Sequence, residues 1–305
     1  MEALNKFLNI VIPIIFSPLL FGVVNYVKAK FAGRKGQSVF QTYYDILKLF
    51  NKTSVYSDSS TYIFRIAPVL IISTMVCVLF LLPFGNNNPI FEFSGSFIII
   101  FYMLALSRFF MIISALDTAS SFEGMGAARE AFFSFLAEIS IFVSLSSLSL
   151  ISNSTLVSEM FSHSVWNQSI TASLIISISF FIALLCENSR VPFDDPNTHL
   201  ELTMVHEVMV LDSSGPDFAL ISYAASLKMW IFSSLIALII PIGSQSPYYG
   251  FLLFFFKILA VSVLVGSIES VFARVRLKKI PEILAVSIII SIVSFVVVAV
   301  NKGIL

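Results

Sequence analysis

Apolar residues occur along the chain in eight long runs, and polar residues are concentrated between them. A helix of about 20 apolar residues spans the hydrocarbon core of a bilayer, and such a helix satisfies its own backbone hydrogen bonds. The pattern therefore predicts an all-α integral membrane protein, with residues 1–305 forming a single polytopic domain. The predicted transmembrane helices cover approximately residues 5–27, 66–84, 96–116, 129–152, 169–186, 218–242, 248–270 and 281–301.

The composition supports a membrane protein and argues against other classes. The 305 residues are 57% hydrophobic and 12% charged, against the roughly 25% charged residues usual in soluble domains. The net charge is zero, so nothing favours binding to nucleic acid. Cys77 and Cys186 fall in predicted spans, are too few for a four-cysteine metal site, and are interpreted as small apolar filler. The first run is not typical of a signal peptide, because Glu2 and Lys6 leave its start without net positive charge.

Lysine and arginine residues outside the spans are unevenly divided between the two sides of the predicted bundle. Thirteen lie in the connections that follow spans one, three, five and seven, whereas Lys6 and Lys302 lie on the other side. Cytoplasmic connections of membrane proteins carry the excess of Lys and Arg. The chain is therefore predicted to be a multi-pass protein of the cell inner (cytoplasmic) membrane, with both termini outside and the long connections 28–65 and 187–217 in the cytoplasm.

Four charged residues lie well inside predicted spans: Arg108, Glu138, Lys228 and Lys257. Each costs several kcal/mol in the membrane unless it is paired or hydrated, so the four predict a polar axis within the bundle. One interpretation is structural ion pairing, and the other is a hydrated route for protons or ions. Glu138 is the best single candidate for a group that exchanges a proton.

The connection 187–212, ENSRVPFDDPNTHLELTMVHEVMVLD, is the most polar part of the chain and holds two of the three histidines. Asp195 and Pro196 are typical of an N-cap and of the first position of a helix. They predict a short helix over residues 196–211.

His199 and His206 are separated by two helical turns and can share one face of that helix. The spacing does not match an HExxH zinc motif, because no second histidine lies four residues from His206. Two histidines beside several acids can relay protons near neutral pH. A structural, hydrogen-bonded loop is the alternative.

Residues 33–50, GRKGQSVFQTYYDILKLF, begin with a basic turn that contains Arg34. Aromatic and aliphatic residues then recur at near-helical spacing. The pattern predicts a helix that lies in the membrane interface with its aromatic face against lipid or protein. A simple positive-inside anchor is the alternative.

Residues 117–130, DTASSFEGMGAARE, combine glycine with charge in the same way. Gly124 and Gly126 are predicted to break the chain before Arg129 opens the fourth span. A lone GxG is rejected as a phosphate-binding loop, because no Rossmann strand precedes it.

The string ENSRVPFDDPNTHLELTMVHEVMVLD resembles the signature of the membrane subunit of group 4 energy-converting nickel-iron hydrogenases. That family includes formate hydrogenlyase subunit four and hydrogenase-4 component C, and it is homologous to the quinone-chamber subunit of respiratory complex I, subunit one of NADH dehydrogenase. The resemblance covers essentially the whole chain, and the GRKG and LDTASSFEGMGAARE segments agree with it. Two positions depart from the family pattern, because Gln37 and Thr42 stand where the family has proline, so the basic turn is less constrained.

The resemblance implies a membrane-anchoring and coupling subunit of a redox-driven ion-translocating complex. It implies hydrogenase-like large and small subunits and a ferredoxin-like subunit on the cytoplasmic face, and antiporter-like membrane subunits alongside in the bilayer. Iron-sulfur clusters and a [NiFe] site are expected in those partners, quinone is possible, and no cofactor or metal is expected on this chain itself.

From the residues and the resemblance together we expect two sets of site residues and no catalytic residue on this chain. The predicted proton route comprises Glu138, Glu187, Glu201, His206, Glu207, Lys228 and Lys257. The predicted pairing or cavity residues are Arg34, Arg108, Arg129, Arg190, Asp194 and His199.

Three other functions remain open from the sequence. A quinone-reducing complex I-like subunit would use the same cytoplasmic loops. A stand-alone secondary transporter has little support, because its prolines do not mark two equivalent broken helices. A passive anchor would keep the surface loops but would not need Glu138.

Overall fold

The computed structural model describes residues 2–85, 87–194, 204–240 and 247–304. The described residues are helical with no β-strand, and eight helices are long and apolar enough to cross a membrane. The predicted all-α membrane fold is therefore confirmed. The helices are α1 (Glu2–Phe31), α2 (Gln41–Phe50), α3 (Tyr62–Leu81), α4 (Ser96–Asp117), α5 (Ser121–Ser152), α6 (Val157–Met160), α7 (His163–Gln168), α8 (Ile170–Glu187), α9 (Gly215–Ile239), α10 (Pro247–Val271) and α11 (Ile280–Asn301).

The connections after the first, third, fifth and seventh spanning helices meet at one end of the bundle, called here the loop-rich end. Hydrogen bonds tie these connections together: Val55 N donates to Ser214 Oγ at 2.9 Å, and Val275 N donates to Pro192 O at 3.0 Å. Ser59 Oγ donates to the carbonyl of Thr118 at 3.1 Å. The loop-rich end is therefore a connected layer rather than a set of separate loops.

Two spans begin four or more residues earlier than the sequence pattern predicts. α3 begins at Tyr62 instead of 66, because the Thr61 hydroxyl accepts from Ile63 N at 3.2 Å and caps the helix. α5 begins at Ser121 instead of 129, and Gly124 and Gly126 lie inside the helix. The prediction that these glycines break the chain is therefore wrong. Glycine costs only about 1 kcal/mol inside a helix, and packing against a neighbouring segment can offset that cost.

The helix predicted over residues 196–211 is wrong for the part that the structure describes. Glu207–Val210 form one turn of 3-10 helix, and residues 204–206 precede it without helix. The N-terminal part of that prediction, including Asp195 and Pro196, lies outside the described residues.

A tyrosine compensates for a proline inside α1. Pro18 has no N–H to donate to Ile14 O, four residues earlier. The hydroxyl of Tyr223, on α9, donates to Ile14 O at 2.6 Å, and the hydroxyl of Tyr43, on α2, donates to the next carbonyl, Ile15 O, at 2.6 Å. The carbonyl that Pro18 leaves without a helical donor is thus satisfied by a side chain of α9.

Helices α5, α8 and α11 pack together through buried serines. Ser287 on α11 donates to Ser140 on α5 at 3.2 Å and lies 3.3 Å from Ser179 on α8. Ser144 donates to Ser179 at 3.3 Å. Small residues allow close approach of helices in lipid, and their hydroxyls bond across the interface.

Helix α9 is the most enclosed span. In the apolar stretch of α9, 72% of the residues are buried inside the protein, whereas the corresponding share is 33% in α10 and in α11. α9 contacts α1, α2, α3, α8 and α10. A charged residue on α9 therefore lies among protein atoms rather than lipid.

Candidate functional site

Arg108, in the middle part of α4, is the hub of a buried ion-pair cluster. Its side chain is 4% exposed, and its guanidinium donates from Nη1 to Glu138 on α5 and from Nη2 to Glu187 at the end of α8. Its Nε lies 3.9 Å from Oε1 of Glu130. Arg108 thus joins carboxylates from two helices, and these carboxylates would otherwise repel each other.

Lys228, on α9, is the second cation of this cluster. Its Nζ lies 2.9 Å from Oε2 of Glu187, the same oxygen that Arg108 contacts. The Glu187 side chain is fully buried, and its other oxygen has no hydrogen-bond partner among the described residues. We call these five residues the Arg108 cluster: Arg108, Glu130, Glu138, Glu187 and Lys228.

A cavity of about 270 Å³ opens beside the Arg108 cluster. Four members of the cluster line it, and Glu138 lies behind Arg108 instead. The rest of the lining is divided between polar residues of the loop-rich end and apolar side chains, among them Phe21, Met75 and Phe218. The cavity therefore combines a charged wall with an apolar one.

A second ion-pair network adjoins the cavity at the loop-rich end. The side chain of Glu269 on α10 is fully buried, with Lys28 Nζ 2.8 Å from one oxygen and Arg190 Nη1 3.4 Å from the other. The Arg190 guanidinium also lies over the Phe21 ring, 4.3 Å from its centroid. The network ties α10 to α1 and to the segment that follows α8.

Asp194 connects the segment that follows α8 to the connection after α10 and to the segment 204–212. Its Oδ1 lies 2.8 Å from Nη2 of Arg274, and its Oδ2 accepts from the backbone N–H of Val205 at 3.0 Å and of His206 at 3.2 Å. The Asp194 residue is 3% exposed. A buried carboxylate therefore fixes the start of the segment that carries His206 and Glu207.

His206 and Glu207 line the cavity opposite Arg190 and the Arg108 cluster. Burial lowers the pKa of His206 from its ordinary value of 6.5, and the neighbouring Glu207 carboxylate opposes that shift. A histidine in this state is neutral at pH 7 and can accept a proton from the cavity. Arg129 Nη1 donates to the carbonyl of Met204 at 3.0 Å and supports the same segment.

The described residues contain no group of three or more His, Cys, Asp and Glu side chains arranged to hold a metal ion. The titratable and charged side chains that line the cavity are carboxylates, an imidazole and cations.

Comparison with known proteins identifies the family. The model of the NADH dehydrogenase family matches residues 5–299. The chain belongs to this family. It is 33% identical to hydrogenase-4 component C of Escherichia coli (strain K12), over 87% of this chain and 86% of the relative. It is 30% identical to formate hydrogenlyase subunit 4 of the same organism, over 93% of this chain and 94% of the relative. The resemblance stated from the sequence is confirmed.

A solved structure shares the fold. It belongs to the membrane-bound sulfane sulfur reductase, an archaeal respiratory membrane complex, and it superposes with a TM-score of 0.84. The match covers 97% of this chain and 99% of the other at 15% sequence identity. The chain is thus a multi-pass membrane protein of the NADH dehydrogenase family.

In this family member, the structure brings together most of the predicted site residues that it describes. The residues around the cavity, or joined to it through Arg108 or the 204–212 segment, are Arg108, Arg129, Glu138, Glu187, Arg190, Asp194, His206, Glu207 and Lys228. His199 and Glu201 lie outside the described residues. What these residues do remains a proposal.

Two predicted residues lie apart from this site. The Lys257 ammonium donates to the carbonyls of Ala237 at 3.2 Å and Ile240 at 2.5 Å, near the end of α9 that faces away from the loop-rich end. Arg34 is exposed on the connection after α1 and does not line the cavity. Neither position supports the role predicted for it.

Sequence reasoning missed Glu130 and Glu269. Glu130 is two turns before Glu138 on α5, a spacing that places both near one face of the helix, and this signal was available in the sequence because both residues lie in the predicted span 129–152. Glu269 lies in the last turns of α10 and is matched by Lys28 at the end of α1. Pairing between spans so distant in sequence has no local signal.

Proposed function

We propose that this chain is the membrane-anchoring and coupling subunit of a redox-driven ion-translocating complex, linking a peripheral hydrogenase-like arm to the movement of protons or sodium ions. The observation that carries the proposal is the Arg108 cluster beside a cavity at the loop-rich end. A passive anchor would need the loop-rich surface but not a buried cluster of ionisable groups.

The cluster has unequal numbers of charges. Arg108 and Lys228 supply two positive charges, whereas Glu130, Glu138 and Glu187 supply three carboxylates. An uncompensated charge in a low-dielectric interior is costly, so a proton shared among the three carboxyl groups balances the cluster. Such coupled groups take up and release protons as a set rather than one by one.

The arrangement gives a physical link between the cavity and the membrane interior. A charge that develops in the cavity acts on Glu187, Glu130 and Lys228, which line it. Arg108 then shifts between Glu187 and Glu138, and the Glu138 side chain, 26% exposed, does not line the cavity. Redox events next to the cavity would thereby change where the shared proton resides.

The partners follow from this role. Hydrogenase-like large and small subunits and a ferredoxin-like subunit would dock on the loop-rich end, carrying the [NiFe] site and the iron-sulfur clusters. Antiporter-like membrane subunits would lie beside the bundle in the cell inner membrane, with both termini of this chain outside. The names of the relatives, hydrogenase-4 and formate hydrogenlyase, support a hydrogenase partner.

The decisive variant is Glu138→Gln in the assembled complex. The amide keeps the size of the side chain but cannot hold the exchangeable proton, so we expect loss of ion movement by about tenfold or more while electron transfer and assembly persist. Glu92→Gln is the matched control, because Glu92 is an exposed carboxylate in the connection between α3 and α4. Ion movement at the normal ratio to electron transfer in Glu138→Gln would support a passive anchor.

A quinone-reducing, complex I-like subunit is the second candidate. The apolar wall formed by Phe21, Met75 and Phe218 beside Arg108 favours it, because such a wall suits the tail of an amphipathic ligand. Purification of the tagged chain in mild detergent separates the two candidates. Nickel with hydrogen-uptake activity supports the hydrogenase partner, whereas iron without nickel, with activity toward quinone, supports the second candidate.

A further inference from the structure

We propose that one face of the first three turns of α5 positions the segment 204–212, and that Glu123, Gly126 and Arg129 are positioning residues for His206 and Glu207. The role of His206 and Glu207 in proton movement rests on the proposed function. The positioning itself rests on the contacts described below and can be measured separately.

The three residues recur at a spacing of three along α5 and therefore lie along one side of the helix. Each contacts a different part of the segment. Arg129 Nη1 donates to Met204 O at 3.0 Å, and Glu123 Oε1 accepts from Asp212 N at 2.9 Å. Both ends of the segment are thus held by the same helix.

Gly126 allows the middle of the segment to pack closely against α5, because glycine has no side chain. A Cβ atom at this position would lie 3.0 Å from Val205 O, 3.1 Å from Met209 Cγ and 3.2 Å from Val208 Cγ1. These distances are shorter than ordinary van der Waals contact, so an added side chain would push the segment away from α5 by at least a few tenths of an ångström. This close approach explains why a helix tolerates a residue that costs about 1 kcal/mol relative to alanine.

Glu123 accepts a hydrogen bond from the backbone of the segment, and its carboxylate also interacts with the side chain of Thr118, directly after α4. It is 0% exposed, and within the described residues it forms no salt bridge and its Oε2 has no hydrogen-bond partner. A buried carboxylate is costly, so its presence in the first turn of α5 needs a reason. Fixing the backbone of Asp212, with the helix N-terminus favouring its negative charge, supplies that reason.

The segment is also held by Asp194, which accepts from Val205 N and His206 N. The segment itself has only one turn of 3-10 helix, Glu207–Val210, to give it internal order. His206 and Glu207 therefore face the cavity because the chain is held between α5 and Asp194. Loosening the α5 side should release both side chains from the cavity wall.

The test is Gly126→Val, with Gly124→Val as its matched control in the same helix. A Cβ at Gly124 meets nothing within 4 Å, so the control adds the same side chain without contact. In the assembled complex, we expect amide hydrogen exchange over residues 204–212 to accelerate about tenfold or more in Gly126→Val and to stay unchanged in Gly124→Val. The pH profile of ion movement should shift in Gly126→Val alone.

A second pair of variants covers the case in which Gly126→Val fails to assemble. Glu123→Ala removes the acceptor for Asp212 N, whereas Glu123→Gln keeps an oxygen there. Exchange at Asp212 and its neighbours should accelerate in Glu123→Ala and be restored in Glu123→Gln. A purely structural carboxylate that does not act on the segment would leave exchange there unchanged in both.

The outcomes separate this inference from the proposed function. Unchanged exchange over 204–212 in Gly126→Val and in Glu123→Ala overturns the positioning role. Equal acceleration in Gly124→Val and Gly126→Val overturns it as well. Accelerated exchange with an unaltered pH profile and full coupling upholds the positioning role and counts against the proton role of His206 and Glu207.

Discussion

The two ends of the bundle pair their cations with different kinds of partner. Near the loop-rich end, Arg108 and Lys228 contact side-chain carboxylates. At the opposite end, Lys257 donates to backbone carbonyls near the end of α9, and Lys302 donates to the carbonyls of Leu150 and Ile151 at the end of α5. A helix C-terminus carries partial negative charge and attracts a cation.

The difference lies in the type of partner. A peptide carbonyl does not titrate, so Lys257 and Lys302 have partners that stay the same as pH changes, and they act as helix caps. A carboxylate can gain a proton and lose its charge, so under the proposed function the partners of Arg108 respond to protonation. The type of partner, rather than the presence of a charge in a membrane span, therefore distinguishes the candidate proton route.

The largest expected effect compares Arg108→Met with Lys257→Met. Arg108→Met leaves three buried carboxyl groups with Lys228 alone, and breaking a buried ion pair costs about 3–5 kcal/mol. Lys257→Met removes a helix cap, which costs about 1 kcal/mol. Denaturant or thermal unfolding of the purified protein in detergent measures both. Equal losses would mean that the two cations have the same structural role.

The next effect in size concerns pH. Because burial lowers the pKa of His206 from 6.5, the imidazole is neutral at pH 7 and gains its proton only at a lower pH than an ordinary histidine does. The new charge then lies near Lys228 and Arg190, while Glu207 and Asp194 partly compensate it. We expect ion movement in the wild-type complex to decline over this acidic range, and His206→Gln to lack that decline.

The third histidine provides the control for that measurement. His163 lies on α7, in the connection between α5 and α8 and away from the loop-rich end. His163→Gln should keep the acidic decline of the wild type. An acidic decline that persists in His206→Gln would assign it to the carboxyl groups of the Arg108 cluster instead.

The membrane fold and much of the candidate site were predictable from the sequence. Runs of apolar residues have a length set by the bilayer, so the eight spans follow from composition alone. Arg108, Glu138 and Lys228 were predicted to lie near one another because lone charges are costly in lipid. The structure shows that they do, with Glu187 as the residue that joins the two cations.

The remaining features depend on contacts that leave no local pattern. Lys257 met the same criterion as Arg108, but its partner carbonyls depend on where α9 ends. The first turns of α5 contain two glycines and were predicted as loop, because the segment that packs against Gly126 is distant in sequence. Glu269 was missed for the same reason, since Lys28 is far from it along the chain.

The smallest expected effect concerns a backbone carbonyl that has no helical donor. It tests whether a neutral hydroxyl stabilises such a carbonyl, as the lysine ammonium groups do at the helix ends. Tyr223 donates to Ile14 O, which Pro18 deprives of its helical partner. Tyr223→Phe removes only the hydroxyl, and leaving that carbonyl unpaired should cost about 1–2 kcal/mol of unfolding free energy. Tyr102→Phe is the control, because the Tyr102 ring is 64% exposed on α4 and surface changes rarely exceed about 0.5 kcal/mol. If the two variants unfold at the same denaturant concentration, α1 around Pro18 is stabilised by packing and not by the hydroxyl. A clear difference would give Tyr223 the same kind of role as Lys257 and Lys302. All three would then stabilise the bundle by donating to backbone carbonyls, which do not titrate.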